Sequence, residues 1–191
     1  EHQPKLIYLI PTFGNPSGAM LSLERRKRIL ALAAQYQVLV VEDNPYGELY
    51  FDAPPPPTLL ALSEQVPGSR DYLAYCGSFS KVVSPGLRLG WMVAPDALLA
   101  NAAMCKQFSD ANSSMLAQVT ASEYLAGGRL PAALQRVQKV YAERARVMMR
   151  HLDEVLGDAL QYTAPQGGMF VWASLTGAGG SSRDAGAFVK R

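Results

Sequence analysis

The segment of the chain with the densest set of reactive groups runs from Gly77 to Trp91, between two apolar runs. Ser78, Ser80 and Lys81 lie near its start, and Arg88 follows seven residues after the lysine. A lysine amine can bond covalently to a carbonyl compound, while hydroxyls and a guanidinium can bind phosphate oxygens. The spacing therefore indicates a covalent amine beside a phosphate anchor. The alternative is a solvated lysine next to an ion-paired arginine.

A second group of polar residues, Glu42 to Tyr46, follows the apolar run at 38–41. In α/β proteins, ligands bind at the carboxyl ends of the strands, so these residues are candidates for a site. Asp43 could hold a proton on a heterocyclic nitrogen, and Tyr46 could donate a hydrogen bond to a ring oxygen. The alternative for Asp43 is a helix cap.

A third candidate is Asn15, in the loop Pro11–Gly18 after the first apolar run. Two prolines and two glycines restrict this loop and present the amide of Asn15. The amide could donate to a ring oxygen or to a carboxylate, or it could bond its own backbone as turn asparagines do.

The elements that must position these residues follow from the apolar pattern. We expect buried strands, the first of them covered on both faces, and helices with one apolar stripe. The strands are expected at 6–10, 38–41, 72–76, 89–93 and 168–172, and the helices at 22–36, 96–108, 114–126, 131–156 and in the last residues. This order predicts an α/β fold with a mixed, mostly parallel sheet and flanking helices.

Composition excludes several classes of protein. The 191 residues are 49% apolar and 18% charged with a net charge of +2, which argues against disorder and against a nucleic-acid partner. Because no apolar run approaches the ~18 residues of a membrane span, no membrane partner is expected. The two cysteines lack disulfide or zinc spacing, which favours a cytoplasmic location, and only His2 and His151 could be histidine ligands, so no metal site is expected.

Taken together, the three segments resemble the fold-type I, pyridoxal-phosphate-dependent aminotransferases of class I/II. The matching motifs are an Asn-Pro-Ser/Thr-Gly loop, an Asp-x-x-Tyr strand end, and Ser-x-Ser-Lys followed by Pro-Gly-x-Arg-x-Gly, all in order. The likeness extends to Pro165–Trp172. The segment Glu42–Leu49 is similar to enzymes of the 2-aminoadipate and broad-specificity type.

The resemblance implies a role for each candidate residue and a homodimeric parent that acts on an amino acid and a 2-oxo acid. Lys81 would form the Schiff base with pyridoxal phosphate and move the proton at the substrate Cα, and Asp43 would pair with the pyridinium nitrogen. Tyr46 and Asn15 would contact the phenolic oxygen of the ring. The remaining residues, Ser78, Ser80 and Arg88, would bind the phosphate.

The resemblance also implies a domain organisation. Residues 1–130 would be the C-terminal half of the large, cofactor-binding domain, and residues 131–191 the interdomain helix and the start of a small α+β domain. We therefore expect the chain to be a fragment, inactive alone, with the carboxylate-binding arginine beyond Arg191. The glycine-rich segment 177–182 is expected to form a surface loop.

Two rival functions remain open, because fold alone does not fix function. One is a fold-type I lyase or decarboxylase, which would use the same lysine and aspartate. The other is the effector domain of a MocR-type transcription regulator, which carries the same fold behind a DNA-binding module.

Overall fold

The central element of the molecule is a four-stranded sheet, seen in a computed structural model that describes residues 3–176. Its strands β1 (Leu6–Leu9), β2 (Leu39–Asp43), β3 (Leu73–Ser78) and β4 (Gly90–Val93) are neighbours in that order. The first three strands are parallel and β4 is antiparallel to β3. The α/β fold with a mixed, mostly parallel sheet is therefore confirmed.

Helix α1 (Leu23–Tyr36) makes the crossover between β1 and β2, which parallel strands require. It begins where expected, since the Ser22 hydroxyl accepts a hydrogen bond from the Arg25 backbone N–H at 3.4 Å. Its apolar face packs with the short helix α2 (Leu59–Leu62) on one face of the sheet. The core of this layer consists of Leu30, Ala33, Val40, Leu59, Leu62 and Leu73.

The opposite face of the sheet is open among residues 3–176. On this face Leu6 and Tyr8 of β1 are 51% and 58% exposed, and Met92 of β4 is 41% exposed. The expectation that the first strand is covered on both faces is therefore wrong for the described chain. Alternate residues of a strand face opposite sides, and only one side of β1 meets α1 and α2.

Three longer helices follow the sheet: α3 (Asp96–Asp110), α4 (Met115–Ala126) and the 27-residue α5 (Leu130–Leu156). They lie where the apolar spacing predicted them. Helix α5 leads to a two-stranded antiparallel sheet of β5 (Leu160–Tyr162) and β6 (Ala173–Leu175).

The strand expected at 168–172 is wrong, because β6 begins only at Ala173, opposite Tyr162. Gly168 adopts φ +79° and its N–H donates to the carbonyl of Leu49, so this segment bends across the site loops before it pairs. The expected final helix and the loop at 177–182 lie outside the described residues. Within residues 3–176, none of the helices has the length and apolar character needed to cross a bilayer.

Candidate active site

Three sequence segments with candidate residues meet at one edge of the sheet. In the parallel register Leu9 aligns with Glu42, and Asp43 aligns with Cys76, two residues before Ser78. The carboxyl ends of β1, β2 and β3 are therefore adjacent. The loop with Asn15 leaves β1, Asp43 ends β2, and the segment with Lys81 leaves β3, as the sequence predicted.

The loop between β3 and β4 holds the hydroxyls and the arginine together. Ser78 Oγ accepts a hydrogen bond from the backbone N–H of Ser80 at 3.1 Å. Arg88 Nη1 lies 3.3 Å from Ser80 Oγ and 3.2 Å from the carbonyl oxygen of Pro85. Because β4 runs antiparallel to β3, Arg88 returns to the place where Ser78 left the sheet. The result is a local set of anion-binding groups.

Arg88 reaches this position through an uncommon backbone conformation. Its φ is +53°, in the left-handed region that residues with a Cβ seldom occupy. Strain of this kind concentrates at functional sites, where surrounding structure maintains it. Here the preceding turn Pro85–Leu87 and the antiparallel pairing of Gly90 with Ser78 fix both flanks.

Close packing of β4 on β3 fixes the other side of this loop. A Cβ added to Gly77 would lie 2.2 Å from Cζ2 of Trp91, so the indole occupies the space that glycine leaves. The Trp91 ring also packs against Phe79, with 4.7 Å between the ring centroids. This aromatic contact joins Trp91 of β4 to Phe79, the residue that precedes Ser80 and Lys81 in the loop.

Asp43 has one engaged and one available carboxylate oxygen. Its Oδ2 accepts a hydrogen bond from the Tyr8 hydroxyl at 2.5 Å. Among the hydrogen bonds of residues 3–176, none goes to Oδ1. The side chain is half-buried, and it shares a sheet face with Tyr8 because Tyr8 aligns with Val41, two residues before Asp43.

The neighbouring acid, Glu42, faces the other side of the sheet. It is fully buried, and its two oxygens accept hydrogen bonds from the backbone N–H groups of Leu59 and Leu60, both at 3.0 Å. Burial raises the pKa of Glu42, while these two N–H groups and the guanidinium of Arg26, 4.0 Å away, act in the opposite direction. Glu42 therefore anchors α2 and leaves Asp43 for the site.

Arg26 of α1 fixes the loop that contains Asn15. It is completely buried, and it donates hydrogen bonds to the carbonyls of Leu21 (3.0 Å) and Pro11 (2.9 Å) and to Thr12 Oγ1 (2.7 Å). Burial lowers the pKa of Arg26, and the negative charge of Glu42 partly offsets this effect. One side chain thus holds both ends of the loop.

Tyr46 lies in a small aromatic cluster beneath the same loop. It is 6% exposed and packs with Phe13 and Leu49. Phe170 contacts the Tyr46 ring edge-on, with 5.5 Å between centroids. A Cβ on Gly167 would lie 2.4 Å from Phe13 Cζ, so the glycines before Phe170 allow the 165–172 segment to reach this cluster.

Three candidate side chains are free to bind a ligand. Asn15 is exposed at its loop tip, Tyr46 is buried and Lys81 is half-buried. No hydrogen bond from these three side chains is found within the part of the chain that the structure describes. A cavity of about 380 Å³ borders Ser80, Lys81 and Met169 on one side and helix α5 on the other.

A larger cavity lies elsewhere among the described residues. Its volume is about 930 Å³, and it is bounded by apolar residues of α5 and of the β5–β6 region, among them Met148, Leu152 and Trp172. It contains none of the candidate side chains. We place the candidate site at the sheet edge, because reactive groups converge there.

In the described range 3–176, His, Cys, Asp and Glu form no cluster of three that could hold a metal ion.

Two residues that support the site were not predicted from the sequence: Tyr8 and Arg26. Glu42, which the sequence placed among the candidates, lies on the other face of the sheet. Tyr8 belongs to a run of otherwise apolar residues, and its contact with Asp43 depends on the register of two strands. Arg26 carried a usable signal. It precedes the buried Leu30 and Ala33 by four and seven residues, which places it on the buried face of α1.

Proteins with similar sequences include aminotransferases and a regulator. The aromatic-amino-acid aminotransferase 1 of Thermococcus litoralis is 39% identical over 90% of this chain and 40% of its own length. The 2-aminoadipate transaminase of Thermus thermophilus is 41% identical over 92% and 43% of the two chains. The uncharacterized HTH-type transcriptional regulator YisV of Bacillus subtilis is 36% identical over 92% of this chain and 35% of its own length. The chain thus spans about two fifths of the length of these relatives.

Solved structures have the same fold. The kynurenine aminotransferase of Pyrococcus horikoshii, in complex with PMP, superimposes with a TM-score of 0.84 at 36% identity, over 91% of this chain and 42% of that one. The α-aminoadipate aminotransferase LysN of Thermus thermophilus, complexed with N-(5'-phosphopyridoxyl)-L-leucine, gives 0.82 at 40% identity, over 91% and 44%. The family described as aminotransferase class I and II matches residues 1–190, and the chain belongs to this family.

Proposed function

We propose that the full-length protein is a pyridoxal-phosphate-dependent aminotransferase that moves an amino group from an L-amino acid to a 2-oxo acid. Support comes from family membership and from relatives that are named for this activity. The observation that carries the proposal is the arrangement of the β3–β4 loop. Lys81 lies in this loop between Ser78, which ends β3, and Arg88, whose Nη1 is 3.3 Å from Ser80 Oγ. Strand β3 is the neighbour of β2, which ends at Asp43.

The donor set fits the proposed cofactor. A phosphate monoester needs charge-assisted donors, which Arg88 and the two serine hydroxyls supply. A protonated ring nitrogen needs a carboxylate oxygen, and Asp43 Oδ1 is available while Oδ2 is engaged by Tyr8. A phenolic ring oxygen needs donors, and Asn15 and Tyr46 have donor groups at the same sheet edge.

Each side chain then has a distinct task in the reaction. Bound pyridoxal phosphate supplies an aldehyde that reacts with amines and a ring that delocalises negative charge. Lys81 would supply the amine that holds the cofactor, and its Nζ would move the proton at the substrate Cα. Asp43 would keep the ring nitrogen protonated. Arg88 and the serines would hold the phosphate, and Asn15 and Tyr46 would hold the phenolic oxygen.

The first test is covalent trapping in the full-length protein. Borohydride should attach the cofactor irreversibly to the peptide that contains Lys81, as read by mass spectrometry. Lys81→Ala should abolish amino transfer and trapping while circular dichroism stays unchanged. Lys106→Ala is the matched control, because Lys106 is an exposed lysine paired with Asp110 on α3. Amino transfer at the wild-type rate by Lys81→Ala would refute the proposal.

The substrate class can be tested in single half-reactions. Relatives are named for aromatic amino acids, 2-aminoadipate and kynurenine, so these three donors form the test panel. Conversion of a donor to its 2-oxo acid, with loss of the cofactor's imine absorbance, supports the proposal. Release of carbon dioxide or of ammonia without transfer would instead indicate a decarboxylase or a lyase.

Three further features belong to the same proposal. We place residues 1–130 in the large, cofactor-binding domain, and residues 131–191 in the interdomain helix and the start of the small domain. The 27 residues of α5 and the separate β5–β6 sheet support this division.

The full-length protein is a homodimer in the cytoplasm. Light scattering of the full-length protein tests the oligomeric state.

The second candidate function is an amino-acid-responsive transcription regulator. The regulator YisV, 36% identical over 92% of this chain, favours it. Both functions would use Lys81 in the same way, so trapping does not separate them. Fluorescence anisotropy measurements of binding to labelled DNA from the protein's own promoter region distinguish the two functions. Sequence-specific DNA binding that an amino acid modulates, without amino transfer over many cycles, would favour the regulator.

A further inference from the structure

The hydrogen bond between Tyr8 and Asp43 joins the first two strands on the face that carries the site. The Tyr8 hydroxyl donates to Asp43 Oδ2 at 2.5 Å. This is the only hydrogen bond to the Asp43 side chain among residues 3–176. Tyr8 lies outside the three sequence segments that carry the candidate residues.

The sheet fixes the geometry of this pair. Parallel pairing aligns Tyr8 with Val41, and Asp43 lies two residues further along β2, so both side chains project from the same face. A phenol on a strand has few rotamers, and its backbone is held by the β1–β2 ladder. The donor is therefore preorganised, and it meets the carboxylate through a charge-assisted hydrogen bond.

The consequence lies in the second oxygen. A carboxylate with one oxygen fixed cannot rotate freely about χ2, so the direction of Oδ1 is fixed as well. Resting on the proposed function, we propose that Tyr8 is a positioning residue, whose hydroxyl orients the Asp43 carboxylate so that Oδ1 faces the ring nitrogen of the cofactor.

The ionisation of Tyr8 is compatible with this role. The hydrogen bond to Asp43 raises the pKa of Tyr8 to about 12, with burial and the charge of Asp43 acting in the same direction. The hydroxyl therefore stays a donor over the whole physiological pH range. Tyr8 can act on Asp43 without changing its own charge.

The test uses the full-length protein loaded with cofactor that is ¹⁵N-labelled at the ring nitrogen. The wild type should give a nitrogen chemical shift typical of the protonated ring. In Tyr8→Phe the carboxylate loses its fixed orientation, so the shift should move toward the unprotonated value. The first half-reaction should slow about tenfold, equivalent to about 1.4 kcal/mol, with the KM of the amino acid changed less than about twofold.

Tyr75→Phe is the matched control. Tyr75 lies on the neighbouring strand β3, and its hydroxyl accepts a hydrogen bond from the Asn44 amide at 3.1 Å instead of contacting Asp43. This variant also loses one phenolic hydroxyl from the sheet, yet the ring-nitrogen shift should remain as in the wild type. An equal change of that shift in both variants would overturn the proposal, because the effect would then be general.

A double-mutant cycle shows whether Tyr8 acts through Asp43. In the Asp43→Ala background, Tyr8→Phe should have no further effect on the half-reaction rate, whereas independent roles would give additive losses. An unchanged nitrogen shift and rate in Tyr8→Phe, with Lys81→Ala inactive, would overturn the role of Tyr8 alone. An active Lys81→Ala would instead refute the proposed function.

Discussion

Arg88 combines an unusual backbone with a specific set of contacts. Its left-handed φ of +53° directs the guanidinium toward Ser80 Oγ and the Pro85 carbonyl. A lysine has a point charge instead of a planar fork of donors, so it cannot reproduce paired bonds to a phosphate. The value of arginine at this position therefore lies in its shape as well as in its charge.

Arg88→Lys should weaken cofactor binding in the full-length protein. Loss of one charge-assisted hydrogen bond costs about 1.5–3 kcal/mol, which raises the cofactor's Kd by about tenfold or more. Fluorescence titration of the apoprotein with pyridoxal phosphate measures this constant. Arg70→Lys, a change at an exposed arginine that lies outside the site, is the control. An unchanged Kd in Arg88→Lys would make Arg88 a structural residue.

The raised pKa of Tyr8 has a consequence for stability at alkaline pH. A phenol ionises near pH 10 in an unfolded chain, and the hydrogen bond to Asp43 raises the pKa of Tyr8 to about 12. The folded state thus retains this proton more strongly. The stabilisation is complete below about pH 10 and is lost as the pH rises through about 12.

A spectroscopic titration checks this prediction. Phenolate absorbance of the wild type minus that of Tyr8→Phe isolates one ionisation, which should occur near pH 12. Urea unfolding of the same two proteins should show their largest difference in stability below about pH 10. A difference spectrum with its midpoint near pH 10 would mean that the hydrogen bond is absent in solution.

At the scale of elements, the 165–172 segment packs against the loop that contains Asn15. Gly168 has φ +79°, and a Cβ there would lie 2.8 Å from Cβ of Phe13. Phe13 in turn packs on Tyr46 and Leu49. The glycine therefore sets how closely the segment after β5 approaches two site loops.

Gly168→Ala should destabilise the protein more than Gly128→Ala. Both glycines have positive φ, +79° and +64°, but an added Cβ at Gly128 meets nothing within 4 Å. Both variants therefore pay the same kind of backbone penalty for an alanine at positive φ. The difference between their losses in free energy of unfolding measures the clash with Phe13, which we expect to cost about 1–3 kcal/mol. Urea unfolding of the full-length variants gives both values. Equal losses in the two variants would show that Phe13 moves aside freely.

At the scale of the whole molecule, several elements depend on one buried cation. Arg26 of α1 bonds to the carbonyls of Pro11 and Leu21 and, at 3.3 Å, to that of Pro57, while Glu42 of β2 lies 4.0 Å away. Arg26 thus links four elements: helix α1, the Asn15 loop, the proline-rich loop and β2. A buried charge is tolerated only with such partners.

Arg26→Lys should reduce the free energy of unfolding by about 2–4 kcal/mol, because the lysine keeps the charge but leaves several acceptors unpaired. Arg28→Lys, at an exposed position two residues further along α1, should change it by less than about 0.5 kcal/mol. Chemical denaturation of full-length variants provides the comparison. Equal stability of the two variants would contradict the conclusion that the hydrogen bonds of Arg26 hold these elements together.

Much of this architecture can be predicted from the sequence, and the misses have physical reasons. Helix α5 and the cap at Ser22 follow from local periodicity and side-chain chemistry, as do the strand ends that carry Asp43 and Lys81. The position of β6 does not, because Gly168 bends the chain toward Leu49, a contact between residues far apart in sequence. The role of Tyr8 depends on strand register, which local patterns do not define.

The alternation of Glu42 and Asp43 along β2 couples the chemistry of the site to the integrity of the core. Glu42 points to the N–H groups of α2 on one face, and Asp43 to Tyr8 on the other. A shift of β2 by one residue would exchange the two carboxylates. An insertion or deletion within this strand would therefore remove a structural anchor and a reactive group at once. The surrounding loops can change in length without this double loss, whereas the five residues of β2 cannot.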